Sequence, residues 1–209
     1  MTPLLATIAA ALLAVEPATA APESPPAAAP TAAEAAPQGG PRWTVPAAHA
    51  GGFLLGMRLT VSVAWPSAYD PTRWREERDQ LRLAFTRPPE LDPHRRLLES
   101  DGDPWWLNGF GHAYFGAEIY GRTRQCGWGP LAAVLATAAT SVAWEYGLEA
   151  PYKRPSAVDL VWTPLAGALL GEGRYRLHRW LARRGASPWL LIVVDPLGEG
   201  ERRLLHTGC

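Results

Sequence analysis

The central part of this chain contains three apolar segments of helical length, and each carries polar side chains at regular spacing. Asn108 and His112 lie four positions apart in the first segment, and Glu145 and Glu149 lie four apart in the second. Residues at this spacing share one face of an α-helix. Because a buried carboxylate or imidazole without a partner is costly, the pattern predicts three packed helices whose polar side chains meet one another, a metal or a ligand.

Proline and glycine set the limits of the first two segments. The first covers residues 105–120, and a Gly-Trp-Gly-Pro sequence after it separates the first helix from the second. Pro130 suits the first turn of the second helix, which we expect over residues 130–149, before Pro151 ends it.

The third segment begins at Ser156, where the sequence Ser-x-x-Asp159 resembles a capping box, and we expect it to reach residue 184. Pro164 interrupts this segment, so the helix either kinks there or begins at Thr163 with the proline in its first turn. Farther along, two glycines one turn apart leave a groove where another helix backbone can come close: they are Gly167 and Gly171.

Two helices are expected before this core and one extended segment after it. Residues 52–65 are apolar except for Arg58, and residues 70–85 form a charged helical pattern. Residues 189–194, Trp-Leu-Leu-Ile-Val-Val, have a β-like composition. The sequence predicts a mainly α-helical single domain with a three-helix core, a helical N-terminal extension and room for a short C-terminal β segment.

The N-terminal region is interpreted as export and tethering sequence. Residues 1–20 contain an apolar run of about 12 residues, too short to cross a bilayer, followed by small residues that suit a signal-peptide cleavage site. Residues 21–41 are rich in Ala, Pro and Gly and are predicted to be a disordered linker. Residues 42–209 then form one helical domain, and the protein is expected to be exported.

The composition favours a membrane lipid or envelope component over nucleic acid as a partner. Residues 42–209 have a formal charge of +3, because they hold all 20 Lys and Arg but only 17 of the 20 Asp and Glu. Ten tryptophans, many near predicted helix ends, suit a membrane interface, although a Trp-rich core is an equal alternative. The Arg-rich sequence 174–184 can lie on anionic lipid or simply complement its helix dipole.

Two cysteines occur, Cys126 and Cys209. An exported protein permits a disulfide between them, but two cysteines are not a disulfide framework, so the sequence leaves this bond open.

The polar residues of the core form the predicted site. The simplest interpretation is an internal polar network that holds the three helices in register, with arginines from loops separating the two glutamates. Six residues are candidates for this network or for binding: Asn108, His112, Glu145, Glu149, Ser156 and Asp159.

Hydrolysis of a lipid-linked or phosphate-bearing substrate is the alternative function. Glu145 or Asp159 would orient His112, which would activate water or a serine hydroxyl. The available hydroxyls are those of Ser141 and Ser156, and the sequence has no Gly-x-Ser-x-Gly elbow. The catalytic candidates are His112, Glu145 and Asp159.

A divalent metal such as Zn²⁺, Mn²⁺ or iron fits the donor types of His112, Glu145, Glu149 and Asp159. The chain lacks the His-x-x-x-His and Glu-x-x-His pairs that metal sites in helical bundles use. No resident metal or other cofactor is therefore expected from the sequence.

Four motifs follow one another along the core segments: Trp106-x-Asn108-x-x-x-His112-x-x-x-Gly116, Ser141-x-x-Trp144-Glu145-Tyr146-x-x-Glu149, Pro155-Ser156-x-x-Asp159 and Thr163-Pro164-x-x-Gly167-x-x-x-Gly171. In this order they resemble a bacterial family named only as domain of unknown function 3943, over about residues 60–205. The resemblance implies a helical envelope protein of a Gram-negative bacterium, exported to the periplasm or outer membrane, with no established activity. A looser similarity to VanZ-like membrane proteins rests on a His, a Glu and a Ser or Asp on successive helices.

Overall fold

The computed structural model describes residues 41–66, 71–205 and 209. The predicted signal peptide and the predicted linker up to residue 40 lie outside the described residues. Every element in the described part of the chain is helical and no strand is present there, which confirms the predicted mainly α-helical single domain. Its seven α-helices are α1 (Thr44–Ala64), α2 (Trp74–Thr86), α3 (His112–Gln125), α4 (Pro130–Ala143), α5 (Ala157–Arg183), α6 (Pro188–Val194) and α7 (Pro196–Leu204).

Two of the predicted core helices contain a π-helical segment. Leu107–Gly111 is π-helical and runs directly into α3, and Trp144–Glu149 continues α4 in the same way. A π-helical segment inserts an extra residue into a helical turn and is frequent at functional sites. Here one segment carries Asn108 and the other carries Glu145 and Glu149.

Helix α5 begins where the capping pattern predicts. The Ser156 side chain accepts a hydrogen bond from the backbone N–H of Asp159 at 3.2 Å, so the helix starts there and not at Thr163. Pro164 lies inside the continuous helix.

Helices α3 and α5 pack through glycine, as the predicted groove requires. A Cβ atom added to Gly167 would lie 2.5 Å from the Cα atom of Gly116, and one added to Gly171 would lie 2.9 Å from the Tyr120 ring. Only glycine allows the two backbones to approach this closely. This contact fixes the start of α3 against the first half of α5.

A small aromatic and aliphatic core lies beside these helices. Phe115 and Ile119 of α3 pack with Trp144, and α1 covers them with Phe53 and Met57. Helix α1 therefore closes one side of the α3–α4 pair.

The expected C-terminal β segment is wrong, because residues 189–194 belong to helix α6. Ser187 accepts a hydrogen bond from the backbone N–H of Leu190 at 3.4 Å, and Pro188 occupies the first turn. These are helix-start signals, and they outweigh the β propensity of the Ile-Val-Val run. Beyond α7, Cys209 forms a disulfide with Cys126 at the end of α3, with Cα atoms 4.7 Å apart.

Candidate functional site

Three of the six predicted site residues meet at one point between the core helices. His112 begins α3, Glu145 lies in the π-helical segment after α4, and Asp159 lies in the first turn of α5. Each offers one potential ligand atom, and these atoms all lie within 4.8 Å of one another. All three residues are buried, and they are called here the His–Glu–Asp cluster.

His112 is held by a hydroxyl on one side and faces a carboxylate on the other. Its Nδ1 lies 2.9 Å from Oγ1 of Thr163, within hydrogen-bond distance, and its Nε2 lies 3.8 Å from Oδ2 of Asp159. Burial, together with the positive charge of Lys153, lowers the pKa of His112 to about 4. The imidazole is therefore neutral at physiological pH.

Glu145 uses only one of its two carboxylate oxygens. Oε2 accepts a hydrogen bond from the backbone N–H of Ser156 at 2.7 Å, whereas the buried Oε1 has no hydrogen-bond partner. Burial raises the pKa of Glu145 well above its usual value, and the nearby charge of Glu149 raises it further.

Asp159 is the least satisfied member of the cluster. Its side chain is fully buried, and neither carboxylate oxygen has a donor in hydrogen-bonding geometry. The Ser156 hydroxyl and the Asp101 carboxyl both interact with it, the first favouring its charged form and the second its neutral form. Burial raises the pKa of Asp159 to about 8. Buried polar atoms in folded proteins are nearly always hydrogen-bonded, so two orphaned oxygens on one side chain require an explanation.

Two other predicted site residues belong to a second group, called here the lysine network. Lys153 binds Asp101 at 3.1 Å and Glu149 at 3.6 Å, and it also contacts Asp103. Asn108 donates a hydrogen bond to Asp101 at 2.7 Å. Burial favours the neutral form of Asp101, but the Lys153 ammonium outweighs it and lowers the Asp101 pKa to about 2.

The sequence analysis missed the cation of this network. It expected loop arginines to separate the two glutamates, but the arginines near the motifs pair elsewhere: Arg122 and Arg124, which lie in α3, pair with Glu201 and Glu172, and Arg154 pairs with Glu90. The counter-charge is Lys153, the only lysine among 209 residues. That rarity is the signal that could have identified it.

The two candidate nucleophiles bond to the backbone. Ser141 donates a hydrogen bond to the carbonyl of Asp159 at 3.3 Å, and the Ser156 hydroxyl oxygen caps α5. Both hydroxyls therefore have structural roles in this geometry.

With all their carboxyl groups ionised, the two groups together would carry an excess of negative charge. Among the described residues, Lys153 is the one cation that joins them, and it faces five carboxyl groups, namely Asp101, Asp103, Glu145, Glu149 and Asp159. Low-dielectric surroundings make such an imbalance expensive, so carboxyl groups must be protonated or another cation must be present.

The comparison with protein families bears on this same part of the chain. Residues 98–196 match the family described as domain of unknown function (DUF3943). This match confirms, over residues 98–196, the resemblance to the DUF3943 family that the motifs predicted. The DUF3943 segment contains the whole His–Glu–Asp cluster and the whole lysine network. No curated protein and no solved structure matches the chain, and the similarity to VanZ-like proteins stays a prediction.

Proposed function

We propose that this DUF3943 protein is a membrane-associated component of the cell envelope with a structural or binding role. In this proposal, lipid covers the outer faces of α4 and of the first half of α5. The observation that carries it is the distribution of side chains on these two helices, which is opposite to that of a water-soluble protein.

Helix α4 turns its large apolar side chains outward. Leu131, Leu135 and Val142 are exposed. The buried positions of the same helix are small or hydroxylated: Ala133, Thr137, Thr140 and Ser141.

The first half of α5 repeats this arrangement. Leu165 and Leu169 are exposed, whereas Thr163 and Gly167 are buried against α3. Helices in lipid pack through small residues, because lipid tails solvate leucine as well as a protein core does. An apolar surface of this kind in water needs a cover.

The second half of α5 is cationic. Trp180 and Leu177 are exposed among exposed arginines, and the Arg184 guanidinium lies 4.2 Å from the centre of the Trp180 ring. An apolar stretch followed by tryptophan and arginine matches the order of hydrocarbon, interface and anionic headgroup. The exposed arginines are Arg176, Arg179, Arg183 and Arg184.

Pro130–Glu149 is, among the described helices, the one long and apolar enough to cross a membrane. A third of it, 33 %, is buried within the protein. Core helices of soluble proteins meet the same criterion, so this feature supports lipid contact by α4 and does not by itself carry a membrane span.

The Cys126–Cys209 disulfide supports export. Disulfides persist in oxidising compartments such as the periplasm and are rare in the cytosol. The predicted signal peptide at residues 1–20 points in the same direction.

A vesicle flotation assay tests the membrane proposal. Full-length protein, purified in mild detergent, is mixed with neutral vesicles or vesicles that contain an anionic phospholipid, and the detergent is removed. We expect the protein to float with both kinds of vesicle and more completely with the anionic ones. Recovery in the lipid-free fraction with both kinds would contradict the proposal.

Serine substitutions identify the contacting face. The variant with Leu131, Leu135, Leu165 and Leu169 changed to serine should lose most flotation. Its matched control changes four exposed leucines elsewhere and should keep it. Equal losses in both variants would rule out the α4–α5 face. The control leucines are Leu91, Leu97, Leu204 and Leu205.

Arginine substitutions test the headgroup contact in the same assay. Changing three exposed arginines of α5 to glutamine should remove the preference for anionic vesicles. The same charge change on α2 should leave it, and an unchanged preference in the α5 variant would contradict this contact. The α5 set is Arg179, Arg183 and Arg184, and the α2 set is Arg75, Arg78 and Arg82.

Hydrolysis remains the second hypothesis for the site. The neutral His112 imidazole suits a general base. However, Glu145 and Asp159 are fully buried, so a lipid-linked substrate reaches them only if helices separate. The observed geometry therefore favours a binding or structural role for the cluster.

A further inference from the structure

We propose that His112, Glu145 and Asp159 bind one divalent transition-metal ion, Zn²⁺ or Mn²⁺. The site does not depend on the membrane proposal, because its three ligands lie between helices of the protein and need no lipid.

The spacing of the three donor atoms is close to that of a metal site. Ligands about 2.1 Å from Zn²⁺ lie about 3.4 Å apart in a tetrahedron. The Nε2 atom of His112 and Oδ2 of Asp159 are 3.8 Å apart, and the full set lies within 4.8 Å. A side-chain shift of about 1 Å closes the set around an ion.

The orphaned oxygens point to a bound cation. Both oxygens of Asp159 and Oε1 of Glu145 are buried and have no hydrogen-bond partner. A closed structural network would satisfy each of its members, and this one leaves three oxygens without a donor in hydrogen-bonding geometry, of which Oε1 of Glu145 has no side-chain partner of any kind. A cation bound between these side chains would coordinate them and reduce the local excess of negative charge.

Protonation alone does not resolve the geometry. A protonated carboxyl group carries an O–H donor, which also needs a partner when it is buried. The Asp101 carboxylate interacts with the Asp159 side chain and offers an acceptor for such a proton, but the buried Oε1 of Glu145 has no partner. Binding of a metal ion removes both the charge and the unsatisfied oxygens.

Thr163 orients the histidine for this role. With Nδ1–H donating to Oγ1 of Thr163 at 2.9 Å, the lone pair of Nε2 points toward the cluster. Metal-bound histidines commonly have their second ring nitrogen fixed in this way. Thr163 is therefore a positioning residue for His112.

The donor set selects the class of ion. One imidazole nitrogen and two carboxylates suit Zn²⁺ and Mn²⁺, whereas Ca²⁺ and Mg²⁺ prefer oxygen ligands alone. Three protein ligands leave a coordination position for water. Because the cluster is buried, ions and water are the species that fit without movement of helices.

Metal analysis of tag-free full-length protein tests the site. The protein is stripped with chelator, dialysed against Zn²⁺ or Mn²⁺, and its bound metal is measured together with the visible spectrum of a Co²⁺-loaded sample. We expect one ion per chain. Asp159→Asn and His112→Ala should each weaken binding at least about tenfold and change the Co²⁺ spectrum.

Matched variants separate coordination from folding. Glu172→Gln removes an ion-paired carboxylate from the same helix as Asp159 and should bind metal like the wild type. Glu145→Gln keeps an oxygen acceptor for the Ser156 N–H, so it provides a second ligand variant that retains this bond. Thr163→Val should weaken binding about tenfold and shift the Co²⁺ spectrum.

Two results would overturn the proposal. One is wild-type protein that binds no stoichiometric Zn²⁺ or Mn²⁺. The other is an Asp159→Asn or Glu145→Gln protein that binds metal with wild-type affinity, because the ion would then lie elsewhere.

Discussion

Two groups of buried charged residues in this protein differ in the partners of their carboxylates. In the group around α7, called here the arginine cluster, Arg174 binds Glu118 at 2.7 Å and Arg202 binds Asp195 at 2.9 Å. In the His–Glu–Asp cluster, no arginine is bound to either carboxylate among the described contacts. The arginine cluster pairs Glu118, Asp195, Glu199 and Glu201 with Arg122, Arg174, Arg202 and Arg203.

The difference separates a structural role from a binding role. Arginine supplies a permanent positive charge, so it offsets the charge of a carboxylate beside it without any ligand, even where, as between Arg174 Nη1 and Glu118 Oε1, the close pair is not in hydrogen-bonding geometry. Glu145 and Asp159 instead lie among a neutral imidazole and other carboxyl groups. The Lys153 ammonium is ion-paired with Asp101, Asp103 and Glu149. The arginine cluster can therefore hold α3, α5 and α7 together unaided, whereas in our proposal a metal ion completes the His–Glu–Asp cluster.

Breaking the arginine cluster should have the largest effect on folding. Arg174→Met leaves the buried Glu118 carboxylate without this partner and should lower the free energy of unfolding by about 3–5 kcal/mol. Arg176→Met is the control, since its side chain is 77 % exposed, and it should change stability by less than about 0.5 kcal/mol. Chemical denaturation measures both, and equal effects would remove the structural role assigned to Arg174.

The close packing of α3 against α5 holds His112 near Asp159, so a substitution that separates the two helices should disturb the His–Glu–Asp cluster. In Gly116→Ala the new Cβ would collide with the Thr163 carbonyl, and we expect a loss of about 2–3 kcal/mol of stability. Gly121→Ala on the same helix meets no atom within 4 Å and should raise stability by about 0.5 kcal/mol. A Gly116→Ala protein as stable as the wild type would mean that the helices do not approach this closely.

Replacing the Asp159 carboxyl group with an amide should change the free energy of unfolding in the opposite direction to breaking the arginine cluster. Asp159→Asn removes a buried carboxyl group that keeps its proton in the folded protein, because burial raises its pKa to about 8, and releases it in the unfolded chain. In the presence of chelator the variant should therefore be as stable as the wild type or more stable, with a gain of about 1 kcal/mol at neutral pH.

The pH dependence sharpens this difference. Because the pKa of folded Asp159 is raised to about 8, the folded state keeps a proton that the unfolded state releases, and its stability falls as pH rises toward 8. His112, with its pKa lowered to about 4, opposes this trend only below about pH 6.5. From pH 6.5 to 8, metal-free wild type should lose about 1–2 kcal/mol relative to Asp159→Asn. A constant difference across this window would contradict an Asp159 that is protonated in the folded state.

Helical periodicity predicted the part of the site that lies on helices. The spacing of Asn108 with His112, and the cap at Ser156, placed polar side chains on three packed helices. Polar side chains are unfavourable both in lipid and in an apolar core, so on packed helices they contact one another. Of the six candidates, however, Asn108 and Glu149 belong to the lysine network and Ser156 to the cap of α5.

Features outside regular helical spacing were not predicted. Lys153 lies in a short turn between prolines, and the path of such a turn depends on contacts that sequence periodicity does not describe. Asp101 and Asp103 were not among the predicted site residues, although both carboxylates bind Lys153. The π-helical segments were not predicted because a 3.6-residue period does not describe them.

At residues 189–194, two sequence signals favoured different structures. Their β-branched side chains favoured a strand, but the preceding Ser187-Pro188 is a helix-start signal that was present in the sequence. In this short segment the local capping signal decided the structure.

Thermal unfolding of the wild type and of Asp159→Asn, each with chelator and with excess Zn²⁺, tests the central claim most directly. The account predicts that Zn²⁺ at about 100 times its dissociation constant stabilises the wild type by about 2.7 kcal/mol. It also predicts that Asp159→Asn does not respond to Zn²⁺ and is at least as stable as wild type in chelator. A wild type without a response to Zn²⁺ or Mn²⁺, together with a destabilised Asp159→Asn protein, would contradict the account. It would show that the cluster is an internal polar network that holds the helices in register.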